Sequence, residues 1–321
     1  MWNDCDSIYT SVAGSRRRAP AAETHLSTPG VDTSMHPPDA PPPGVSGHAA
    51  GDRERAATRT PASEADTPTR IVSLAPSATA SLSAMGAGDA VVGVTVHCGL
   101  DRPRVGGWLN PDYDRLADLD PDLVCTADPL QADVRDDLRD RGYDVCHVEP
   151  ATLDAVVDSF ETVGRAAGRP DAGTRLAADA RDRLAAVRER VADGSERTDE
   201  TSGTDADSRP VVYCEEWGDP PMAAGNWVPE AVAAAGGRHP FCDPGDRSQE
   251  VTEARVAAAD PDHVVIHHCG HGDRADPDIL AERGWDLDAP VHVLDDDLLN
   301  QPSPALLDGI ETLAELFHGE A

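Results

Sequence analysis

The chain repeats one order of strands and helices at a spacing of 140 residues, and this repeat constrains the fold more than any other feature. The tripeptide D-P-D begins at residues 120 and 260 and leads each time into an apolar, strand-like run. The first strand-like run of each copy holds Val72 or Val212, again 140 residues apart. Strands that alternate with helices form parallel sheets covered on both faces. The repeat therefore predicts an α/β protein with two parallel-sheet lobes that face each other.

Hydrophobic periodicity gives the expected element boundaries. In the first copy, strands are predicted at 71–75, 91–96, 123–126 and 144–148, and helices at 77–85, 112–117 and 130–141. In the second copy, strands are predicted at 211–216, 264–268 and 291–294, and helices at 228–235, 251–259 and 279–283. We assign 70–150 to an N-terminal lobe and 210–321 to a C-terminal lobe. Composition predicts a disordered tail over 1–69 and an acidic loop over 194–209.

Residues 151–193 connect the two lobes and are predicted to form linking helices. After a Gly-Arg-Pro break, an apolar stripe that includes Leu176 and Leu184 keeps helical spacing from 171 to about 192. About 22 residues in a helix give a rod of roughly 33 Å. We expect this single long backbone helix to brace the lobes and to permit only a modest closing motion.

The charge of the chain excludes several kinds of partner. The formal net charge is −32, and all 27 basic residues are arginine. Nucleic acids and anionic membranes need basic patches, so neither is an expected partner. Charge repulsion spread along the whole chain is screened in concentrated salt, which predicts a halophilic protein. The seven cysteines are scattered singly, without a C-x-x-C pair, which favours small buried residues over a disulfide framework.

The sequence carries no recognisable export signal. Arg16, Arg17 and Arg18 hint at a twin-arginine signal, but no apolar core follows them. No apolar run is long enough to span a bilayer. As written, the chain is expected to stay inside the cell as a monomer.

Tryptophans and prolines are concentrated in one loop of the second copy. Aromatic residues make up 4% of the chain, yet two of its five tryptophans, Trp217 and Trp227, flank Pro220 and Pro221. The loop follows a strand and opens a helix, which places it at the carboxyl edge of the sheet, where ligands bind in α/β proteins. Rigid indoles suit the wall of a cleft for a large, flat, partly apolar ligand. Ordinary packing of the loop onto its sheet explains the same pattern equally well.

Several motifs together resemble one known family. They are I-V-S-L-A-P-S-A-T from residue 71, G-D-A-V-V-G-V-T from residue 88, D-P-D-L-V from residue 120, E-W-G-D-P-P-M-A-A-G-N-W-V-P-E-A-V from residue 216 with A-G-G after it, and Q-P-S-P from residue 301. In this order they resemble the class III, helix-braced substrate-binding proteins of ABC importers, in the cobalamin and ferric-siderophore branch. The resemblance covers about 70–317 and is strongest to the cobalamin-binding subgroup.

The resemblance implies a ligand cleft between the lobes and a set of residues that line it. These residues are Pro76, Trp108, Trp217, Asp219, Pro220, Trp227, Cys269, Asn300, Pro302 and Ser303. The indoles are expected to cover the edge of a corrin macrocycle, while Asn300 and Ser303 bond its amide arms. The resemblance also implies an importer permease as partner, docked through one carboxylate on each lobe. Asp114 and Glu253 lie near those positions, although Glu253 is one residue away from the 140-residue register, and two ordinary solvated carboxylates are equally consistent.

A histidine- and cysteine-rich cluster provides the main competing hypothesis. His267, Cys269 and His271 follow one strand, and His97 and Cys98 end a strand of the other lobe. Imidazole and thiolate together suit Zn²⁺, but these residues lack the spacing of a zinc motif. Histidines that bond at the edge of the cleft, or that coordinate the cobalt of a bound corrinoid, explain the cluster as well.

These observations predict a non-enzymatic protein that binds a corrinoid such as cobalamin for an ABC importer. The sequence has no G-x-S-x-G elbow, phosphate-binding glycine loop or H-E-x-x-H pair, so no catalytic residue and no catalytic cofactor is expected. A ferric-siderophore or haem carrier stays open because arginines suited to such ligands lie near the cleft motifs, at Arg102, Arg104, Arg238 and Arg247. A zinc-dependent cytosolic protein and an intracellular corrinoid chaperone stay open as well.

Overall fold

The computed structural model describes residues 67–198 and 209–319, whose strands form two sheets. The strands are β1 (Ile71–Ser73), β2 (Val91–Val94), β3 (Leu123–Ala127), β4 (Val145–Val148), β5 (Val212–Gly218), β6 (Pro221–Ala223), β7 (Gln249–Glu250), β8 (His263–Ile266) and β9 (Val291–Val293). The helices are α1 (Pro76–Ala84), α2 (Tyr113–Asp118), α3 (Ala132–Asp140), α4 (Leu153–Ala166), α5 (Pro170–Thr198), α6 (Val228–Ala234), α7 (Glu253–Ala259), α8 (Ile279–Glu282) and α9 (Ala305–His318).

The tail and the acidic loop fall only partly on this structure. The predictions for 1–66, 199–208 and 320–321 lie outside the described residues. Residues 67–69, which were assigned to the tail, contact the N-terminal lobe instead. The backbone N–H and the hydroxyl of Thr69 donate to a carboxylate oxygen of Asp122 at 2.9 and 3.2 Å.

The N-terminal lobe contains a fully parallel sheet in the order β2-β1-β3-β4. All residues of β1 and β3 are buried, which matches their continuous apolar runs, because helices cover both faces of such a sheet. The carboxyl ends of β1 and β3 therefore meet at one edge of the sheet. This edge faces the other lobe and supplies half of the cleft described below.

The sheet of the C-terminal lobe is mixed, which corrects the expectation of two purely parallel sheets. Its order is β7-β6-β5-β8-β9, with β5, β8 and β9 parallel and β6 and β7 antiparallel to their neighbours. The chain reverses at Asp219 and Pro220 directly after β5, so Met222 pairs with Trp217 in a tight hairpin. A segment predicted as a loop is thus a short strand. The parallel-dominant α/β class is confirmed.

The internal repeat is visible in the backbone. Asp120 and Asp260, which begin the two D-P-D motifs, both adopt left-handed conformations, with φ of 44° and 49°. The N–H of Asp122 donates to the carbonyl of Arg70 at 2.9 Å, and the N–H of Asp262 donates to the carbonyl of Val211 at 2.8 Å. The D-P-D motifs are therefore 140 residues apart, but the first strands are 141 apart. The expected pairing of Val72 with Val212 is wrong by one residue.

Helix α5 braces the two lobes, as predicted, and is longer than expected. It runs for 29 residues, through the positions assigned to the start of the acidic loop. Gly164 and Gly173 let it cross α4 closely, because an added Cβ on Gly164 would lie 2.7 Å from the Cα of Gly173. Arg181 pairs with Asp158 of α4 at 2.6 Å. Arg183 pairs with two carboxylates of α9, Asp308 at 2.6 Å and Glu311 at 2.7 Å. Over 67–198 and 209–319, we found no helix with the length and apolarity that a bilayer crossing requires.

Candidate functional site

A cavity of about 370 Å³ lies between the lobes, at the carboxyl ends of the strands of both sheets. The N-terminal lobe contributes Ala75, Pro76, Ser77, His97, Trp108, Ala127, Asp128 and Pro150. The C-terminal lobe contributes Trp227, Cys269, Gly270, Asp296, Asp297, Asn300, Gln301 and Pro302. Most of this lining is apolar, as in typical small-molecule sites.

Trp108 forms the aromatic wall of the N-terminal lobe, and a buried glutamine fixes its backbone. The side-chain amide of Gln131 donates to the carbonyl oxygens of Trp108 at 2.7 Å and Leu74 at 3.3 Å. Its oxygen accepts the N–H of Ala127 at 2.8 Å. One fully buried side chain thus joins the ends of β1 and β3 to the tryptophan loop. Sequence analysis missed Gln131, because its only local signal is one polar residue at the start of a helix.

Trp227 forms the facing aromatic wall of the C-terminal lobe. It precedes α6, and the left-handed Asn226 before it, with φ of 53°, turns the chain into that helix. The indole is 5% exposed, and its Nε1–H donates to the carbonyl of Leu299 at 2.8 Å. This bond ties the indole to the loop that carries Asn300, so the two lining residues are positioned together.

Asn300 is held from beneath by a buried histidine. The amide nitrogen of Asn300 donates to the carbonyl of His267 at 2.8 Å, and its oxygen accepts a short bond from Nδ1 of the same histidine. Burial lowers the pKa of His267 to about 4, although the bond to Asn300 opposes this shift. His267 is therefore neutral at pH 7 and acts as a fixed support for the lining amide.

A second buried network lies behind the C-terminal wall. The carboxylate of Glu215, which is fully buried, accepts bonds from Arg283 at 2.8 Å, His268 at 2.9 Å and Tyr213 at 2.6 Å. Burial alone would raise the pKa of Glu215, but these donors lower it to about 2. None of the four side chains lines the cavity. The network joins β5 to the segments that follow β8.

The structure brings six of the ten expected ligand-binding residues together. Pro76, Trp108, Trp227, Cys269, Asn300 and Pro302 line the cavity, whereas Trp217, Asp219, Pro220 and Ser303 do not. The Nε1–H of Trp217 donates to the carbonyl of Asp219 at 2.8 Å within the β5–β6 hairpin. Ser303 is buried, and its hydroxyl accepts the N–H of Ala305 at 3.3 Å at the start of α9. The aromatic wall thus differs from the expected one, because β5 continues through Trp217 before the chain reverses.

The five residues of the competing metal site do not converge. His97 and Cys269 line the cavity, but the thiol of Cys98 points into its own loop, 3.2 Å from the hydroxyl of Thr95. His267 bonds Asn300, and Nδ1 of His271 lies 3.2 Å from the carbonyl of Cys269. Among the described residues, the close group of three possible ligands is instead Asp295, Asp296 and Asp297. The oxygens of Asp296 already accept the N–H groups of Gly270 and Gly272, at 2.8 and 2.7 Å.

The charged side chains around the cavity are mainly acidic. Asp128, Asp296 and Asp297 line it, and the lining formed by the described residues includes no arginine. Arg102 and Arg104 donate to backbone carbonyls of their own loop, at 2.7 Å to Val91 and 2.8 Å to Cys98. Arg247 pairs with Asp128 at 3.4 Å across the two lobes. Neither Arg102 nor Arg104 is therefore placed to bind an anionic ligand in the cavity.

The two carboxylates suggested for docking occupy similar places in their lobes. Asp114 and Glu253 are exposed in the first turns of α2 and α7. Asp112 caps α2 and Thr252 caps α7, and these caps keep the 140-residue spacing. The structural equivalent of Asp114 is accordingly Ala254, one position after Glu253.

Comparison with known proteins agrees with this architecture. Residues 71–289 match the family model for periplasmic binding proteins. A cobalamin-binding protein of Halobacterium salinarum is 30% identical over 276 residues, which span 78% of this chain and 70% of that protein. A periplasmic vitamin B12 binding protein of Vibrio cholerae has a TM-score of 0.59 and 23% identity, over 78% of this chain and 96% of its own. A periplasmic heme binding protein from Pseudomonas aeruginosa has a TM-score of 0.66 and 23% identity, over 79% and 94%. The two lobes, the brace helix and these matches show that the chain belongs to the periplasmic binding protein family, whose class III fold binds substrates without catalysing a reaction.

Proposed function

We propose that the chain binds a corrinoid, with cobalamin as the specific ligand, and delivers it to the permease of an ABC importer. The observation that carries this proposal is the cavity itself, in which indoles from opposite lobes face amide and carboxylate side chains. The similarity to the cobalamin-binding protein of Halobacterium salinarum supports the same ligand.

The chemistry of the lining fits a corrinoid better than an anionic ligand. A corrin ring has a broad apolar edge, carries amide arms and surrounds a cationic cobalt. Trp108 and Trp227 offer apolar surface for the ring, while Asn300 and Gln301 can bond the arms. The corrin ring is larger than the cavity, so the cavity holds an edge of it and the lobes separate to admit the rest.

Haem is the second candidate, favoured by the structural likeness to a heme binding protein. The two propionates of haem are anionic, and three cavity-lining aspartates would repel them. The nearby Arg247 is already paired with Asp128. The charge of the site therefore supports the corrinoid.

We further propose that Asp114 and Glu253 dock the permease. Both carboxylates are exposed on helices that begin at corresponding places in the two lobes. Arginines on a partner could therefore contact both lobes at once.

The experiment is a fluorescence and absorbance titration of the protein in concentrated salt with cyanocobalamin, haemin and a ferric hydroxamate. We expect cyanocobalamin to bind most tightly. Trp108→Ala and Trp227→Ala should each weaken binding by about 1–3 kcal/mol, as expected for a buried aromatic contact. Trp217→Ala is the matched control, because this indole lies outside the lining.

Trp217→Ala should lower thermal stability but leave the affinity of the folded protein close to wild type. Tighter binding of haemin than of cyanocobalamin would reject the proposed ligand. Equal affinities for wild type, Trp108→Ala and Trp227→Ala would reject the proposed wall.

A further inference from the structure

The loop before Trp108 is built so that it presents one histidine to the cavity. His97 is exposed and lines the N-terminal wall. The guanidinium of Arg104 donates to the carbonyls on both sides of it, at 2.9 Å to Thr95 and 2.8 Å to Cys98. Within the same turn, the N–H of Cys98 donates to the carbonyl of Thr95 at 3.3 Å. The backbone that carries His97 is thus fixed before any ligand enters.

His97 is also chemically distinct among the lining side chains. In the cavity formed by residues 67–198 and 209–319, His97 and Cys269 are the residues whose nitrogen or sulfur commonly ligates a transition metal. They come from opposite lobes, as do the two indoles. An imidazole can bind a metal through one ring nitrogen while the other keeps a hydrogen bond.

From this arrangement we infer that His97 is an axial ligand for the cobalt of the bound corrinoid and selects corrinoids with an exchangeable axial position. The inference rests on the proposed function. In the ligation step, the lone pair of an imidazole nitrogen forms a Co(III)–N bond while the Co(III)–OH₂ bond breaks. Water leaves with its own electron pair, and cobalt keeps its oxidation state. Arg104 is a positioning residue, since it acts through the backbone of the His97 turn.

The test compares aquocobalamin, whose water exchanges, with cyanocobalamin, whose cyanide holds that face. Wild-type protein should shift the visible bands of aquocobalamin to the positions that free imidazole produces, and should leave those of cyanocobalamin in place. His97→Ala and His97→Gln should abolish the shift and reduce the preference for aquocobalamin over cyanocobalamin by about tenfold. Free imidazole should restore the shift in the complex of His97→Ala with aquocobalamin.

Two further variants keep the test specific. His271→Gln removes a histidine that does not line the cavity and should keep the shift. Cys269→Ser should keep it too, and loss of the shift only in Cys269→Ser would overturn the inference in favour of thiolate ligation. A shift that persists in both His97 variants, or no shift when wild type binds aquocobalamin, also overturns it. If wild type binds neither corrinoid, the proposed function itself fails.

Discussion

Two buried polar side chains, one in each lobe, hold the residues that line the cleft. Gln131 fixes the backbone of Trp108, and His267 fixes the amide of Asn300. An unpaired polar group in such a place would cost free energy, so each support is stable only while its bonds are made. The shape of the cavity therefore depends on residues that do not touch the ligand.

The histidine support makes stability depend on pH. The pKa of His267 is about 4 in the folded protein, below the ordinary value of 6.5, because burial disfavours its charged form. Its Nε2 has no hydrogen-bond partner in the described part of the chain, so protonation there would bury an unpaired charge. The unfolded chain takes up a proton first as the pH falls. The contribution of His267 is therefore complete above pH 6.5 and is lost between pH 6.5 and pH 4.

We expect the wild type to lose about 3 kcal/mol more unfolding free energy than His267→Gln between pH 7 and pH 4. Chemical denaturation at several pH values measures this difference. His239, whose pKa burial also lowers, is present in both proteins and cancels in the comparison. Parallel pH profiles for the two proteins would contradict the assigned role.

The sequence reveals residues of the cleft far better than it reveals their supports. Trp108 and Trp227 stand beside glycine or proline in loops after strands, so their residue types and positions indicate a cleft. The partners of Gln131 lie 57 and 23 residues away, at Leu74 and Trp108, and only the folded chain brings them together. Trp217 has the same local signal as Trp227, and strand pairing alone separates their positions.

At the scale of elements, one loop of the C-terminal lobe reaches the N-terminal lobe. We call residues 243–248 the strap. Asn226 anchors it, with its N–H donating to Asp246 at 2.5 Å and its carbonyl accepting from Gly245 at 2.9 Å. Arg247 of the strap then pairs with Asp128 at 3.4 Å, beside the cavity. The pair joins the two lobes directly, so separation of the lobes must break it.

Removal of this pair should speed exchange of the ligand. Both side chains are partly exposed, so the pair is worth at most about 1 kcal/mol. Arg247→Gln is accordingly expected to raise the dissociation rate of cyanocobalamin by up to about fivefold in low salt and by less in high salt. Stopped-flow measurement of ligand release checks this.

Asp128→Asn completes a double-mutant cycle. An asparagine keeps the bond to the N–H of Leu130, now 2.8 Å long, and tolerates the left-handed backbone with φ of 73°. Adding Arg247→Gln to this variant should cause little further change in rate. Fully additive effects of the two substitutions would show that the pair does not couple the lobes.

Some elements could not be predicted because their cause is not local. Strand β6 has three residues, too few to show a period of two, and it forms because β5 and β7 flank it. The end of α5 was placed too early, since Asp193 and Gly194 together are typical of a helix end. The parallel strands, with their long apolar runs, were placed to within a few residues.

At the scale of the whole molecule, charge and salt set stability. The net charge is −32, so repulsion among carboxylates opposes the compact state. Exposed pairs such as Arg183 with Glu311 contribute at most about 1 kcal/mol each, which salt would weaken. The repulsion involves many more charges, so its screening should dominate.

We therefore expect the thermal unfolding midpoint to rise with NaCl concentration. Most of the rise should come below about 1 M, where the screening length has already fallen to about 3 Å. Differential scanning calorimetry in NaCl, with sucrose as an uncharged control, checks this prediction. A midpoint that is constant or falls with NaCl would contradict the halophilic interpretation of the composition.

Helix α5 also determines how the two halves can move relative to each other. Arg181 and Arg183 lie two positions apart on the helix, so they point to nearly opposite sides, one toward α4 and the other toward α9. Any relative rotation of the halves must bend or twist the helix between these attachments. Such elastic deformation grows steadily with displacement and restores the starting geometry without a second stable state. A released ligand would therefore leave behind a protein that springs back by itself, ready for the next molecule.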